Sequence, residues 1–510
     1  MPSPSALAPL RAGTLVKLLE DAGQLLRAHM PDPEQVFSAH TTDSRRLGPQ
    51  QIFIAYRGVK TDAHQHIAPL LQAHPDAGVI YDDPAFEPQC RQAAWACLVK
   101  DSREAWAQLA AYRWGQPQRQ LRFLGVTGTN GKTSTVWILR QLLLQLQLPC
   151  MSIGTLGVYC GAEKLPASHT TPDPDDLFQY LALAVERGIP WVAMELSSHA
   201  VRQKRLGPLR FDGIAFTSFS RDHLDFHPSM EDYFAAKWEL VRDFRKQDAP
   251  AWLSSSLGSW LPREAAALGC FLYGPEGPDA ARFRLSYQIE AMDLGASRFQ
   301  LQLKGAAGQA PQVWRGSLPF GGDFAVDNFA AAFALMASVL GRTVDSSHWG
   351  AVAPVPGRFE PLLAHGLAVL IDYAHTPDAL EKTLTKLRAL SKGQVWVVFG
   401  CGGDRDKGKR PLMGRIAEVG ADRVILTSDN PRSENPEAIL DDILAGFERP
   451  ERAMRITDRA QAIQYAIQQA AAQDVILVAG KGHEDYQLIG TQVLSFDDKK
   501  VAAAFLASRS

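Results

Sequence analysis

The sequence predicts an α/β protein built on parallel sheets, and three observations carry that prediction. Short apolar, β-rich runs recur along the chain, each closing on a polar or glycine-rich loop and alternating with helical segments. One such run, residues 123–126, enters a glycine loop that ends in Lys132 and opens an amphipathic stretch. The length, 510 residues, exceeds what one hydrophobic core usually serves, so several domains are expected.

A first segment, residues 1–108, has strand candidates at 51–56, 78–81 and 97–99, with a polar turn at 43–46 ahead of them. The middle segment, 109–350, has strands at 123–126, 191–194 and 213–217 and a helix at 133–148. A proline-bearing linker at 353–356 opens the third segment, 351–510. Its strand candidates are 369–373, 395–399, 423–427 and 475–479, each followed at once by a loop rich in Gly, Asp, Asn, Arg or His. Ligands of open α/β sheets bind beyond the carboxyl ends of the strands, so those loops are expected to line one crevice.

Apolar residues make up 46% and charged residues 21%, the composition of an ordinary globular protein. With 53 basic and 55 acidic residues the formal charge is -2, which gives no global field to gather nucleic acid or anionic lipid. Anionic ligands must therefore be held by local sites. Cys90, Cys97, Cys150, Cys160, Cys270 and Cys401 form no C-x-x-C pair and no zinc spacing, and read as reduced thiols of a cytosolic protein. Cys401 sits in a glycine-rich loop, where packing is expected over nucleophilic chemistry. The first residues have neither the basic start nor the apolar run of a signal peptide, and no later stretch reaches membrane length without a charge or turn residue. A cytoplasmic location with no membrane partner is expected.

Residues 121–134 read LRFLGVTGTNGKTS. Glycines let backbone N–H groups turn toward phosphate oxygens, and the helix start adds partial positive charge. Lys132 can reach the β- and γ-phosphates, and the Thr133 hydroxyl can hold Mg²⁺. Val126 stands where the strict Walker pattern has glycine, so the core of this variant loop is Gly128, Thr129, Asn130, Gly131, Lys132 and Thr133, with Ser134 following. Such a loop says only nucleotide. No N-K-x-D base-reading motif accompanies it, but a nucleotide-dependent regulatory protein and a small-molecule kinase both remain readings of the loop alone.

Further blocks follow in order: HTTPD at 169–173, ELSSH at 195–199, SRDHLD at 220–225, AAKW at 235–238, GRFE at 357–360, DYAHTP at 372–377, the glycine-rich run 400–411, DNPR at 429–432 and GKGHE at 480–484. Together with GTNGKT they resemble the Mur ligases and their relative folylpolyglutamate synthetase over nearly the whole chain. The resemblance implies three domains: a smaller N-terminal α/β domain, a central P-loop NTPase-like parallel sheet and a C-terminal Rossmann-like domain. It also implies a cytoplasmic monomer that uses ATP and Mg²⁺ in peptidoglycan synthesis. One block departs from the pattern. Relatives often have F-N-x-x-N where residues 324–328 read FAVDN, so only Asn328 takes an implied ATP contact, and a helix cap explains it nearly as well.

The reaction this implies joins a carboxylate to an amine. The carboxylate attacks the γ-phosphate of ATP, and the amine displaces phosphate from the resulting acyl phosphate. No protein nucleophile is needed, and positioning and charge neutralisation dominate. Lys132, Glu195, His223 and Lys237 are the implied catalytic residues. Thr133 and Glu195 are candidates for one magnesium and His223 for another. Lys237, by itself a solvated helix lysine, is by resemblance carbamylated, which turns a cation into an oxygen ligand for magnesium. Arg358 and Asp372, with His375 nearby, are implied to contact ATP, which requires the third domain to close over the second.

For a UDP-linked muramoyl dipeptide, UDP-N-acetylmuramoyl-L-alanyl-D-glutamate, the resemblance implies Thr42, Ser44, Val59, Lys60, Thr61, His169, Thr170, Thr171, Ser197, Gln203 and Arg205. The D-N-P-R form resembles the members that add meso-2,6-diaminopimelate. That amino acid carries a far carboxylate suited to the planar fork of Arg432, with Arg405 as a second donor. Asp429 and Glu484 can take its ammonium, with Asn430, Pro431 and Gly480 completing the set. DNPR read alone is also an ordinary turn. A lysine-adding or folylpolyglutamate synthetase-like ligase is the alternative.

Overall fold

The computed structural model describes residues 7–58, 61–167, 169–277, 284–304 and 310–509. The chain forms two compact units: Met1–Leu272 with Ala331–Thr343, and Tyr273–Ala330 with Val344–Ser510.

The first unit begins with a sheet in the order Leu25–His29, Trp95–Val99, Gly78–Tyr81, Gln51–Ile54, Ala39–Thr41. Only its edge strand Leu25–His29 runs antiparallel. Trp95–Val99 is buried along its whole length, which is why it reads as an unbroken apolar run rather than an alternating one. The helix Ser102–Arg113 follows, capped by Asp101, whose side chain accepts from the N–H groups of Arg103 and Glu104.

A second sheet of this unit runs Cys150–Gly154, Trp191–Glu195, Arg122–Thr127, Gly213–Phe216, Ala251–Ser254, with parallel pairing throughout. An antiparallel hairpin, Gly157–Cys160 with Glu163–Leu165, extends it beyond Cys150–Gly154. Phe123, Ile153, Val192, Met194, Ile214 and Phe216 share its core. The helix Lys132–Gln145 follows the strand Arg122–Thr127, and it stops short of the 148 read from the sequence. The chain leaves the helix through Gln147, which has φ +58°.

The second unit contains an antiparallel meander, Leu285–Met292, Ser297–Leu303 and Gln312–Leu318, that the sequence reading does not include. Its main sheet runs Glu360–Ala364, Leu367–Asp372, Val475–Ala479, Val395–Phe399, Arg423–Leu426, Ala453–Arg455, and only Glu360–Ala364 is antiparallel. Helices Pro377–Leu390, Lys409–Gly420 and Pro436–Leu444 supply one face's core, and Arg459–Gln469 with Asp498–Ala507 the other. Four neighbouring strands of this sheet lead into the loops that begin at Tyr373, Gly480, Gly400 and Thr427.

The six cysteines are free, and all but Cys270 are buried. Burial pushes the Cys401 thiol up to about 12, consistent with packing. The helix Asp323–Leu340 is long and apolar enough to cross a membrane by length and composition, but 61% of it is buried within the protein, as in a core helix.

Candidate active site

The strand Arg122–Thr127 delivers the chain into the phosphate loop, where Gly128 and Gly131 take φ +147° and +87°. A side chain at Gly128 would be strained and would also meet Thr217 Oγ1, 2.2 Å from the position of its Cβ. The segment after Gly213–Phe216 braces the loop. Thr129 N–H donates to Ser218 O (2.8 Å), Asn130 N–H to Ser218 Oγ (2.9 Å), and Thr217 Oγ1 to Asn130 O (2.6 Å). The helix then starts at Lys132, with Ser134 half-buried in its first turn, so a helix N-terminus faces the loop.

Two lysines converge on this loop. Lys132 Nζ donates to the carbonyls of Gly128 (2.8 Å) and Thr129 (2.9 Å). Lys237, on the helix Met230–Asp243, is only 1% exposed, and its Nζ donates to the same Gly128 carbonyl at 2.8 Å. Its ammonium lies 4.6 Å from the centroid of the Tyr233 ring. Burial, then the charge of Lys132, hold the Lys237 pKa well below that of an ordinary lysine, against the opposing charge of Asp222. A solvated helix lysine is therefore excluded. His223, at φ +53°, feels the same two lysines; burial lowers its pKa, Asp222 opposes the fall, and the charges of Lys132 and Lys237 add to it. Its ring is 4.8 Å from that of His199. His227 fixes this corner by bonding Ser198 Oγ (2.9 Å) and Asp232 (2.7 Å).

Glu195 ends the strand Trp191–Glu195 and is 1% exposed, so it is no surface carboxylate. It accepts from Thr133 Oγ1 (3.0 Å), Thr155 N–H (2.8 Å) and Thr155 Oγ1 (3.2 Å). Gly154 makes room for it, because a Cβ there would lie 2.2 Å from Glu195 Oε1. Thr133, Trp137, Ser152 and Gly157 line a small recess with Glu195. A threonine hydroxyl beside a buried carboxylate is the hard-oxygen donor set that magnesium prefers, so these residues fit that ion. Among the described residues, no three His, Cys, Asp or Glu side chains gather as a metal cluster of their own.

The loop 169–173 joins the same region. Thr170 Oγ1 lies 3.2 Å from Thr155 Oγ1, and Thr171 Oγ1 donates to Glu195 O (2.9 Å) and accepts from Ser197 N–H (3.1 Å). Arg205 donates to Thr171 O (2.7 Å) and Gln203 Oε1 (2.6 Å) and pairs with Asp173 at 3.0 Å. His169 is 3.8 Å from Asp173. Thr42 and Ser44 lie just beyond the strand Ala39–Thr41, and Thr61 lies in the turn where its carbonyl accepts from Gly58 N–H (2.8 Å). Val59 and Lys60 fall outside the described residues. Asp175 ties this first sheet to the loop 169–173, accepting from Trp106 Nε1 (3.0 Å) and bonding His40 Nε2 (2.6 Å).

In the second unit, Asp372 accepts from the N–H groups of Phe359 (2.7 Å) and Ala374 (2.9 Å). Burial raises its pKa, and Arg358 opposes the rise. Arg358 stacks 4.6 Å from the Tyr373 ring centroid, and His375 Nδ1 bonds Tyr373 O at 2.8 Å. Gly480 N–H donates to Asp372 O (3.1 Å), which joins the GKGHE loop to these residues. Asp429 and Asn430 are buried, and Asn430 Nδ2 donates to Glu484 Oε2 (2.9 Å). Arg432 has φ +52°; its N–H donates to Leu488 O (3.0 Å) and its Nη1 to Gly403 O (2.7 Å). Pro431 O accepts from Glu434 N–H (3.0 Å). Arg405 is exposed and donates to Asp404 O (3.3 Å). Asn328 is buried in the helix Asp323–Leu340. Thr155, Asp175 and Lys481, which touch these groups, carry no role in the sequence reading; Lys481 stood in a recognised block, whereas Thr155 and Asp175 had no signal.

Comparison with known proteins bears on the family and the fold. Residues 126–336 match the Mur ligase middle domain, and residues 357–482 match the Mur ligase, glutamate ligase domain. A UDP-N-acetylmuramoyl-L-alanyl-D-glutamate–2,6-diaminopimelate ligase of Syntrophomonas wolfei is 37% identical over 478 residues, covering 92% of this chain and 94% of its own. The ligase of the same name from Xanthomonas campestris pv. campestris is 40% identical over 471 residues, covering 92% and 93%. A solved structure of a ligase of that name superposes with a TM-score of 0.64 at 28% identity, covering 98% of this chain and 99% of its own. Folylpolyglutamate synthase of Mycobacterium tuberculosis, complexed with ADP and AMPPCP, shares the fold at a TM-score of 0.59 and 17% identity over 80% of this chain and 96% of its own. With two family matches and relatives of up to 40% identity over most of both chains, the chain belongs to the Mur ligase family.

Proposed function

We propose that this chain is an ATP-dependent amide-bond ligase that adds meso-2,6-diaminopimelate to UDP-N-acetylmuramoyl-L-alanyl-D-glutamate in peptidoglycan synthesis, acting in the cytoplasm as a monomer. The observation that carries the choice of amino acid is the clustering of Asp429, Asn430 and Glu484 around Lys481, in the second unit, with Arg432 following in the same DNPR loop. The group offers acceptors for an ammonium and a planar cation for a carboxylate. The near full-length likeness to ligases named for diaminopimelate supports the same reading.

In this reading residues 1–108 hold the UDP moiety, with Thr42, Ser44, Val59, Lys60 and Thr61 as contacts. Residues 109–350 hold ATP, and residues 351–510 the amino acid. His169, Thr170, Thr171, Ser197, Gln203 and Arg205 hold the muramoyl dipeptide. The loop from Gly128 to Ser134 receives the phosphates, and Lys132 leaves its two carbonyls to neutralise charge that grows on the transferring phosphoryl group. Arg358, Asp372 and Asn328 contact the rest of ATP. Magnesium, held by Thr133 and Glu195 and at a second position by His223 and carbamylated Lys237, would supply further positive charge to the phosphates. The depressed pKa of Lys237 favours the neutral amine, the form that adds carbon dioxide through its nitrogen and then loses a proton. Arg405, Arg432, Asp429, Asn430, Pro431, Gly480 and Glu484 orient diaminopimelate so that its reacting amine meets the acyl phosphate. A mass spectrum of the product tests the reading. One diaminopimelate should be joined to the nucleotide dipeptide with loss of water, while a phosphorylated dipeptide as end product would favour a kinase.

A further inference from the structure

The GKGHE loop contributes a lysine that the reaction above leaves unused. Lys481 is 0% exposed. Its Nζ donates to Asn430 Oδ1 (3.1 Å) and Glu484 Oε2 (3.4 Å) and lies 3.6 Å from Asp429 Oδ1. Asn430 Oδ1 also accepts from Leu488 N–H (3.0 Å), which fixes the amide so that its Nδ2 faces Glu484. Asp429 Oδ1 is buried and makes no hydrogen bond, an oxygen that still wants a donor. The nearby Arg459 is engaged elsewhere, because it forms two 2.7 Å bonds with Asp498. Tyr486 stands among all these charges: Lys481 Nζ is 5.5 Å from its ring centroid, and Glu484, Arg432 and Asp429 all act on its hydroxyl.

Two carboxylates with one buried lysine leave one net negative charge, which matches one ammonium. Without the lysine the same pocket would hold two, and would favour any cation over a group that also carries a carboxylate. We propose that Lys481 is a specificity-determining residue that sets the acceptor charge around Asp429 and Glu484, so that a zwitterionic side-chain terminus is preferred to a bare ammonium. Asn430 transmits its position, since one amide touches both Lys481 and Glu484. The inference rests on the amino-acid site proposed above. It differs from a role for Arg432, which would address the carboxylate directly.

The test is the ratio of kcat/KM for meso-diaminopimelate to that for L-lysine, measured in the full-length enzyme. Lys481→Gln keeps an N–H donor toward Asn430 and removes the charge. It should lower the ratio by about tenfold or more, while KM for ATP and for the nucleotide dipeptide stays near that of the wild type. The charge-compensated pair Lys481→Gln/Asp429→Asn should recover part of the ratio, and it also serves if the single variant does not fold. A purely structural lysine would lower both kcat/KM values equally and leave the ratio unmoved in both variants, which would overturn the inference. Wild-type enzyme that uses lysine as well as diaminopimelate would instead overturn the function proposed above.

Discussion

Lys132 and Lys237 donate to one and the same oxygen, the carbonyl of Gly128, at 2.8 Å each. Two ammonium groups on one neutral acceptor would repel each other, and burial would strengthen the repulsion, which favours the neutral amine at Lys237. In the proposed function, phosphate charge would draw Lys132 away, and a carbamate on Lys237 would reverse the sign of its end.

The first prediction concerns that pair. Lys237→Ala should fold, because it exchanges a buried amine for a smaller apolar group, but ligase turnover should fall by roughly 100-fold or more. Steady-state phosphate release measures it, and intact-protein mass should show the wild type heavier by one carbon dioxide when bicarbonate is present. Full turnover of the alanine variant without bicarbonate or chloride would remove Lys237 from the mechanism.

Arg432→Ala should raise KM for diaminopimelate by about 30-fold or more, the loss of one charge-assisted bidentate contact, while KM for ATP stays unchanged. Arg432→Lys should recover little, since a point charge does not replace a planar fork. Equal effects on the two KM values would argue for a structural arginine.

Asp327 provides a pH signature. Burial pushes its carboxyl from 3.8 up to about 7, against the Tyr287 hydroxyl that donates to it at 3.1 Å. The folded protein therefore holds a proton that the unfolded chain has released, and stability should fall as pH rises from 3.8 through about 7. Asp327→Asn keeps an acceptor for Tyr287 and should flatten that part of the Tm-against-pH curve. Parallel curves for the two proteins would show that Asp327 does not carry the effect.

Arg459 and Asp498 form a bidentate ion pair with both side chains fully buried. Arg459→Met leaves an uncompensated carboxylate inside the second unit and should cost about 3–5 kcal/mol in urea unfolding. A loss below about 1 kcal/mol would mean that Asp498 finds another partner or solvent.

The parallel strands were legible because each is a short apolar run that stops at a polar loop, as at residues 395–399 and 475–479, where the observed strands coincide with the sequence reading. The strand at 51–56 ends two residues early, at Ile54, although Ala55 N–H still donates to Ile80 O (2.8 Å) on the neighbouring strand. The meander from Leu285 to Leu318 was missed because its strands are half-exposed and interleaved with Gln288, Gln300, Gln302 and Arg315, so that no continuous apolar run marks them. The phosphate loop announces itself by local spacing. The burial of Lys237 does not, since it depends on a carbonyl more than 100 residues away in the chain. The same holds for Asp175, whose carboxylate meets His40 and Trp106 only once both sheets of the first unit have formed.

The most direct test of the proposed function is phosphate release from ATP by the wild-type enzyme with UDP-N-acetylmuramoyl-L-alanyl-D-glutamate and one amino acid at a time. Release should depend on both the nucleotide dipeptide and the amino acid, with kcat/KM for meso-diaminopimelate about 100-fold or more above that for lysine. Equal release with lysine, or ATP hydrolysis indifferent to any amino acid, would contradict it.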